Sequence, residues 1–137
     1  MDDYKTLALE PGYKPRLTEP YMCLEQKAYF YQLLNAEKAE LIEEESELRN
    51  TMRDNDDAPG DLEDAADKDM TLNMEIKIAN RDSNMIQFID AALKRLEDGT
   101  YGYSEISGDE IGLKRLMVRP IARITIAEQE AKEKQER

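Results

Sequence analysis

A chain of 137 residues with 31 acidic side chains, 19 cationic ones and no histidine carries a formal charge of −12. That balance argues against wrapping nucleic acid, because phosphate binding rests on Lys and Arg. With 36% charged residues, two Phe and no Trp, the chain also lacks the material for a large core and suits long solvated helices, as one domain or one domain with an extension.

The single cysteine, Cys23, rules out an intramolecular disulfide. It precedes the first helical pattern and reads as a half-buried small hydrophobe. No apolar run approaches the roughly 18 residues that cross a bilayer. The N-terminal stretch lacks a signal-peptide pattern, so a cytoplasmic chain without a membrane role is expected.

Residues 1–20, with Pro11, Pro15 and Pro20, lack a period and predict an irregular arm with one helical turn near Tyr4–Leu9, packed on a base. Helical periodicity begins at residue 21. Leu34, Leu41 and Leu48 recur every seven residues, with Phe30, Glu37 or Lys38, Glu45 and Met52 between them. A second run repeats the pattern at Leu72, Ala79, Ile86 and Leu93, with Ile76, Ser83, Ile89 and Leu96 between. "DNDDAPGDLED", with Pro59-Gly60 and five Asp, separates the runs. A short connection makes two long helices antiparallel neighbours. The expected fold is mainly α: a coiled-coil hairpin over 21–97 with an acidic tip at 54–66, on a small base formed by 98–137.

At the tip, Asp61, Asp64 and Ala66 form D-x-x-D-x-A. Asp61 suits an N-cap, and Asp64 suits the first turn, where it complements the helix dipole. A functional alternative is delivery, since a thin rod carries carboxylates into a channel that a globule cannot enter, to meet Mg²⁺ or basic residues.

In the base, "YGYSEISGDEIGLKRLMVRPIA" (101–122) has the outline of a zinc knuckle without its ligands. With the D-x-x-D-x-A tip, Tyr21-Met22 opening the first helix and "NRD" at 80–82, this stretch resembles the DksA group of the DksA/TraR family. The resemblance covers about residues 20–130. It implies a regulator that binds RNA polymerase from the secondary channel without contacting promoter DNA. Asp61, Asp64 and Ala66 would act near the polymerase active site and modulate open complexes at ribosomal RNA and amino-acid promoters, commonly with ppGpp. Arg81 matches a family arginine that docks the coiled coil. Arg115 and Arg119 match basic residues of the base, the latter in the ppGpp-contacting region; surface charge or helix capping is the plainer reading of both. A monomer is expected.

Three departures modify that expectation. Where zinc-bearing members place four cysteines, this chain has Ser104, Ser107, Thr125 and Glu128. Hydroxyls do not replace thiolates on Zn²⁺, so no structural zinc is expected and the chain resembles the cysteine-poor DksA paralogues. The turn should be held instead by Tyr101, Tyr103, Ile106, Ile111, Leu113, Leu116, Val118, Ile121 and Ile124, with the serines bonding local backbone. Phe88 and Gln129 stand where many members carry lysines, which implies weaker or altered ppGpp synergy because the effector needs cationic partners.

Two other classes share parts of the plan: a Gre-type transcript cleavage factor and a structural coiled-coil adaptor. An enzyme in its own right is not expected, since the chain has no histidine, nucleophile–base pair or phosphate-binding glycine loop. Residues 121–137 predict a helix bracing the base.

Overall fold

The structure, a computed structural model, describes residues 3–56 and 62–136. Five helices follow in order: α1 (Asp3–Thr6), α2 (Leu24–Asp56), α3 (Leu62–Asp98), α4 (Leu113–Val118) and α5 (Ile126–Gln135). Among the described residues, extended backbone pairs only at the isolated antiparallel bridge Tyr103–Glu110. The mainly helical fold built on a long helix pair is thus as the sequence predicts.

Neither α2 nor α3 contains Pro or Gly, the residues most costly inside a helix. α3 stops at Gly99, whose φ of 81° is the left-handed conformation that closes helices. The N–H groups of Thr100 and Tyr101 then turn back to the Arg95 carbonyl at 2.9 and 3.1 Å.

The chain divides into two compact units, Met1–Asn35 with Ile89–Arg137, and Ala36–Phe88. In the second, Ser83 Oγ donates to Glu45 Oε1 at 3.4 Å, and Arg81 Nη2 lies 3.8 Å from Glu44 Oε1. These contacts set the antiparallel register of α2 and α3 there.

The α2 seam follows the sequence pattern. Phe30 and Leu34 are buried, whereas Leu41, Glu45, Leu48 and Met52 are half-buried. On α3 the series Leu72, Ala79, Ile86 and Leu93 is likewise turned inward, and of the intervening positions Ile89 and Leu96 are buried and Ser83 half-buried, but Ile76 differs from expectation. Ile76 is exposed, and the inward residues are Glu75 and Asp82, giving 72-75-79-82-86-89-93-96. This alternation of three and four is the strict heptad spacing. Ile76 is the chemically agreeable neighbour, but helical geometry places the Glu75 carboxylate one step earlier on the seam, and Asp82 is buried beside the half-buried Ser83.

The first unit holds the aliphatic and aromatic core. Phe30, Leu34, Ile89, Ala92 and Leu96 from α2 and α3 are buried with Tyr4, Tyr101, Ile111, Leu113 and Leu116. Tyr29, Phe30 and Tyr101 form a chain of ring contacts at 5.3 and 5.5 Å. The arm joins it through an edge-on contact of Tyr4 with Tyr31 at 5.5 Å and a Gln32 Nε2 bond to the Leu7 carbonyl at 3.3 Å. Two residues of the expected apolar set, Ile106 and Val118, are exposed instead. Ile106 stands in the turn after Ser104, and Val118 ends the six-residue α4, whose inward positions Leu113 and Leu116 lie three apart.

Tyr21 and Met22 also differ from expectation, because α2 begins after them at Leu24. Met22 has a φ of 54°, and its N–H donates to Gln26 Oε1 at 2.9 Å. Gln26, in the first helical turn, thereby reaches back across the helix start.

Candidate functional site

The three tip positions contribute little described geometry. Asp61 lies outside the described residues. Asp64 belongs to the first turn of α3, but its side chain is not described; Ala66, half a turn on, is exposed. Further along α3, Arg81 presents a side chain two-thirds exposed, steered by Asp82 Oδ1 at 3.2 Å.

The four degenerate ligand positions converge, although more than twenty residues separate the first from the last. Ser104 is buried, and its Oγ accepts from the N–H of Ile106 at 3.1 Å and of Ser107 at 3.3 Å. Ser107 Oγ accepts from Asp109 N at 3.3 Å. Thr125 caps α5: its Oγ1 accepts from Glu128 N at 3.1 Å, while Glu128 Oε1 accepts from Thr125 N at 3.0 Å, a reciprocal capping box.

The Glu128 carboxylate closes this group. A hydrogen bond from Ser104 first, then the Thr125 N–H and further bonds from Thr125 and Ser107, hold its pKa below the ordinary carboxylate value. These bonds favour the charged form more than partial desolvation opposes it. One anion thus gathers the hydroxyls of the knuckle and the start of α5.

A structural zinc requires four nitrogen or thiolate donors. This set offers three neutral hydroxyls and one carboxylate, whose lone pairs are already committed to backbone N–H groups and to each other. The residues do not fit zinc. Among the described residues, no group of three or more Cys, Asp or Glu is arranged to hold a metal ion.

The remaining basic positions separate by role. Arg115 Nε donates to the Ile124 carbonyl at 3.0 Å, tying α4 to the loop that leads into α5, so its first service is structural. Arg119 is exposed, and its backbone N–H closes α4 on the Arg115 carbonyl at 2.7 Å. Phe88 is 41% exposed, and Gln129 is bonded to Glu133 one turn on at 3.1 Å.

Two features of this architecture were absent from the sequence reading. Tyr21 Oη donates to the Gly102 carbonyl at 2.6 Å and accepts from Gly112 N at 3.1 Å, bridging both sides of the knuckle. Arg95, largely buried, reaches Glu105 at 3.6 Å and the Ile121 carbonyl at 3.5 Å. Neither residue has a local sequence signal, because each acts on backbone far along the chain.

The family model for the N-terminal domain of DnaK suppressor protein DksA matches residues 26–96. The RNA polymerase-binding transcription factor DksA of Caulobacter vibrioides (strain NA1000 / CB15N) is 36% identical over 137 residues, spanning 100% of this chain and 96% of that protein. The chain belongs to the DksA family. The RNA polymerase-binding transcription factor DksA of Escherichia coli K12 is 33% identical over 118 residues, 86% of this chain and 78% of its own length. Among solved structures, transcription factor DksA2 from Pseudomonas aeruginosa matches with a TM-score of 0.78 and 33% identity, covering 85% of this chain and 89% of that one. The residues matched by the family model, 26–96, are those of the long helix pair. No described helix is long and apolar enough to cross a membrane.

Proposed function

We propose that this chain is a DksA-type regulator that binds bacterial RNA polymerase through the secondary channel and modulates open promoter complexes, with ppGpp and without zinc. Its role is regulatory, as a cytoplasmic monomer that does not read promoter DNA. The observation that carries the reading is the whole-chain relationship to proteins named RNA polymerase-binding transcription factors. Asp61, Asp64 and Ala66 are the residues that act near the polymerase active site, and Arg81 docks the helix pair. Arg119 serves the ppGpp region, with Arg115 also held to its structural bond. Phe88 and Gln129, in place of lysines, reduce ppGpp synergy.

Zinc independence draws its support from the hydrogen-bonded group of Ser104, Ser107, Thr125 and Glu128. In transcription from a ribosomal RNA promoter with purified polymerase, the wild type should repress equally with and without a chelator. ppGpp should add less than it does with a lysine-bearing homologue. Asp64→Asn should bind polymerase yet lose repression. Repression that disappears on chelation would remove the metal-free reading, and full repression by Asp64→Asn would remove the role of the tip.

A further inference from the structure

The last turn of α3 buries a charge that its surroundings satisfy only in part. Arg95 is 9% exposed, and its guanidinium carries a fork of N–H donors. Among the described residues this group makes a single hydrogen bond, from Nη2 to the Ile121 carbonyl at 3.5 Å, the outer limit of such a bond. Glu105 Oε1 stands 3.6 Å from Nη1, near enough to attract it but too far to accept a hydrogen bond. Burial lowers the Arg95 pKa, and Glu105 and Tyr101 oppose that shift. A buried cation held this loosely is costly unless further acceptors reach it.

The guanidinium borders a cleft of about 450 Å³ within the same unit, walled by Gly99, Thr100, Tyr103, Glu105 and Gly108. That volume falls in the range of small-molecule sites. Gly99 and Gly108 have φ values of 81° and 79°, and a Cβ on either would stand in open space. Among the described residues of the lining, Glu105 is the one charged group besides Arg95. Its side chain is 47% exposed, which puts the anion at the mouth and the cation in the wall.

This pair of charges selects a ligand. A simple anion would gain Arg95 but meet Glu105 and a chain of net charge −12. A simple cation would gain Glu105 but meet Arg95, with Arg123 adding positive charge nearby. A zwitterion answers both. Its carboxylate can take two guanidinium donors at once, and its ammonium can donate to Glu105, so that four charges alternate in sign around the site.

We infer that this cleft binds a free α-amino acid, with Arg95 on its carboxylate, Glu105 on its ammonium and the Tyr103 ring along its side chain. The site uses none of the residues assigned above to polymerase or ppGpp, and it does not depend on that reading. Occupancy ties the end of α3 to the turn at 103–108, whose Ser104 also lines the cleft.

The test records backbone amide chemical shifts of the full-length protein with each standard L-amino acid at millimolar concentration. At least one should shift the Gly99, Thr100, Glu105 and Gly108 amides in a saturable titration. The same compound stripped of its amino group, or of its carboxylate, should bind roughly tenfold more weakly, the scale of one lost charged hydrogen bond. Glu105→Gln should weaken the amino acid by a similar factor while leaving the deaminated acid unchanged or tighter. Arg95→Lys should weaken both compounds; where it fails to fold, the half-exposed Glu105 variant decides alone. No saturable shift at these amides with any amino acid overturns the inference. Acetate binding as tightly as the amino acid overturns it too, by making the cleft a general anion site, and so does unaltered amino-acid affinity in Glu105→Gln.

Discussion

Arg81 Nη2 lies 3.2 Å from Asp82 Oδ1, joining a cation that is largely in solvent to a carboxylate that is wholly out of it. Asp82 Oδ2 has no partner, so the pair gains one charged hydrogen bond against the desolvation of a whole carboxylate. Replacing such a group with an apolar residue of similar volume is often stabilising. Asp82→Leu should therefore raise stability by about 1 kcal/mol or more, shifting the thermal midpoint upward by roughly 3–5 °C for a chain of this size. The same change releases Arg81 from its steering contact. A melting curve together with a polymerase-binding assay reads both effects, and a lower midpoint would show that Asp82 contributes net stability to the seam.

The seam also shows how far the sequence carried. Phe30, Leu34, Ile89 and Leu96 were legible because an apolar heptad advertises itself and packing rewards it. Glu75 and Asp82 were not, because pattern reading prefers the apolar or small neighbour, and only the turn of the helix decides which residue points inward. In the base, the four positions Ser104, Ser107, Thr125 and Glu128 were found through family spacing. Their mutual bonding was invisible, because a hydroxyl carries no sequence signature for a carboxylate some twenty residues away. The exposure of Ile106 and Val118 follows from turn and short-helix geometry, which hydropathy alone does not report.

Ser104 and Ser107 should differ sharply on truncation. Ser104 is buried and its Oγ satisfies two backbone N–H groups, whereas Ser107 is exposed and satisfies one. Ser104→Ala leaves two donors without their acceptor and should cost about 1–3 kcal/mol. Ser107→Ala exposes its orphaned donor to water and should stay within about 0.5 kcal/mol of wild type. Urea denaturation of the two variants measures the difference, and equal midpoints would contradict the hub role of Ser104.

Acid should weaken the base. Hydrogen bonds from Ser104 and then Thr125 lower the Glu128 pKa from its ordinary 4.5, and the Arg16 N–H, followed by Tyr13 and Gln26, does the same for Glu19 in the arm. A depressed carboxylate pKa contributes stability that is fully present above the unfolded value and is lost as the pH falls through the folded value. Both groups should accordingly reduce the melting temperature below about pH 4.5, the ordinary value from which they are displaced. Glu128→Gln removes one of the two contributions. Its deficit against wild type should be largest at neutral pH and should shrink as the solution is acidified. A deficit independent of pH would mean that Glu128 acts only through its shape. At the alkaline end, burial and then Glu19 raise the Tyr13 pKa, so its contribution holds up to about pH 10 and fades above it.

Gly102 and Tyr21 should prove coupled. The φ of 90° at Gly102 is a conformation that side chains disfavour, and a Cβ there would stand 3.0 Å from both Met22 Cγ and Tyr21 Oη. Neither obstacle withdraws freely, because Met22 is itself held at a φ of 54° and Tyr21 Oη is bonded to the Gly102 carbonyl at 2.6 Å. Gly102→Ala should therefore cost about 2–4 kcal/mol, backbone strain adding to steric displacement. Tyr21→Phe keeps the ring against Tyr103, at 5.7 Å, but leaves Gly112 N without its acceptor, for about 1–2 kcal/mol. In the double variant one of the two obstacles has gone and the Oη bond cannot be broken twice. Its loss should fall short of the sum of the single losses by at least about 0.5 kcal/mol, the coupling expected of residues in direct contact. A double-mutant cycle by chemical denaturation gives the number. Strict additivity would place the strain of Gly102→Ala wholly at Met22 and in the backbone, and none of it at the tyrosine hydroxyl.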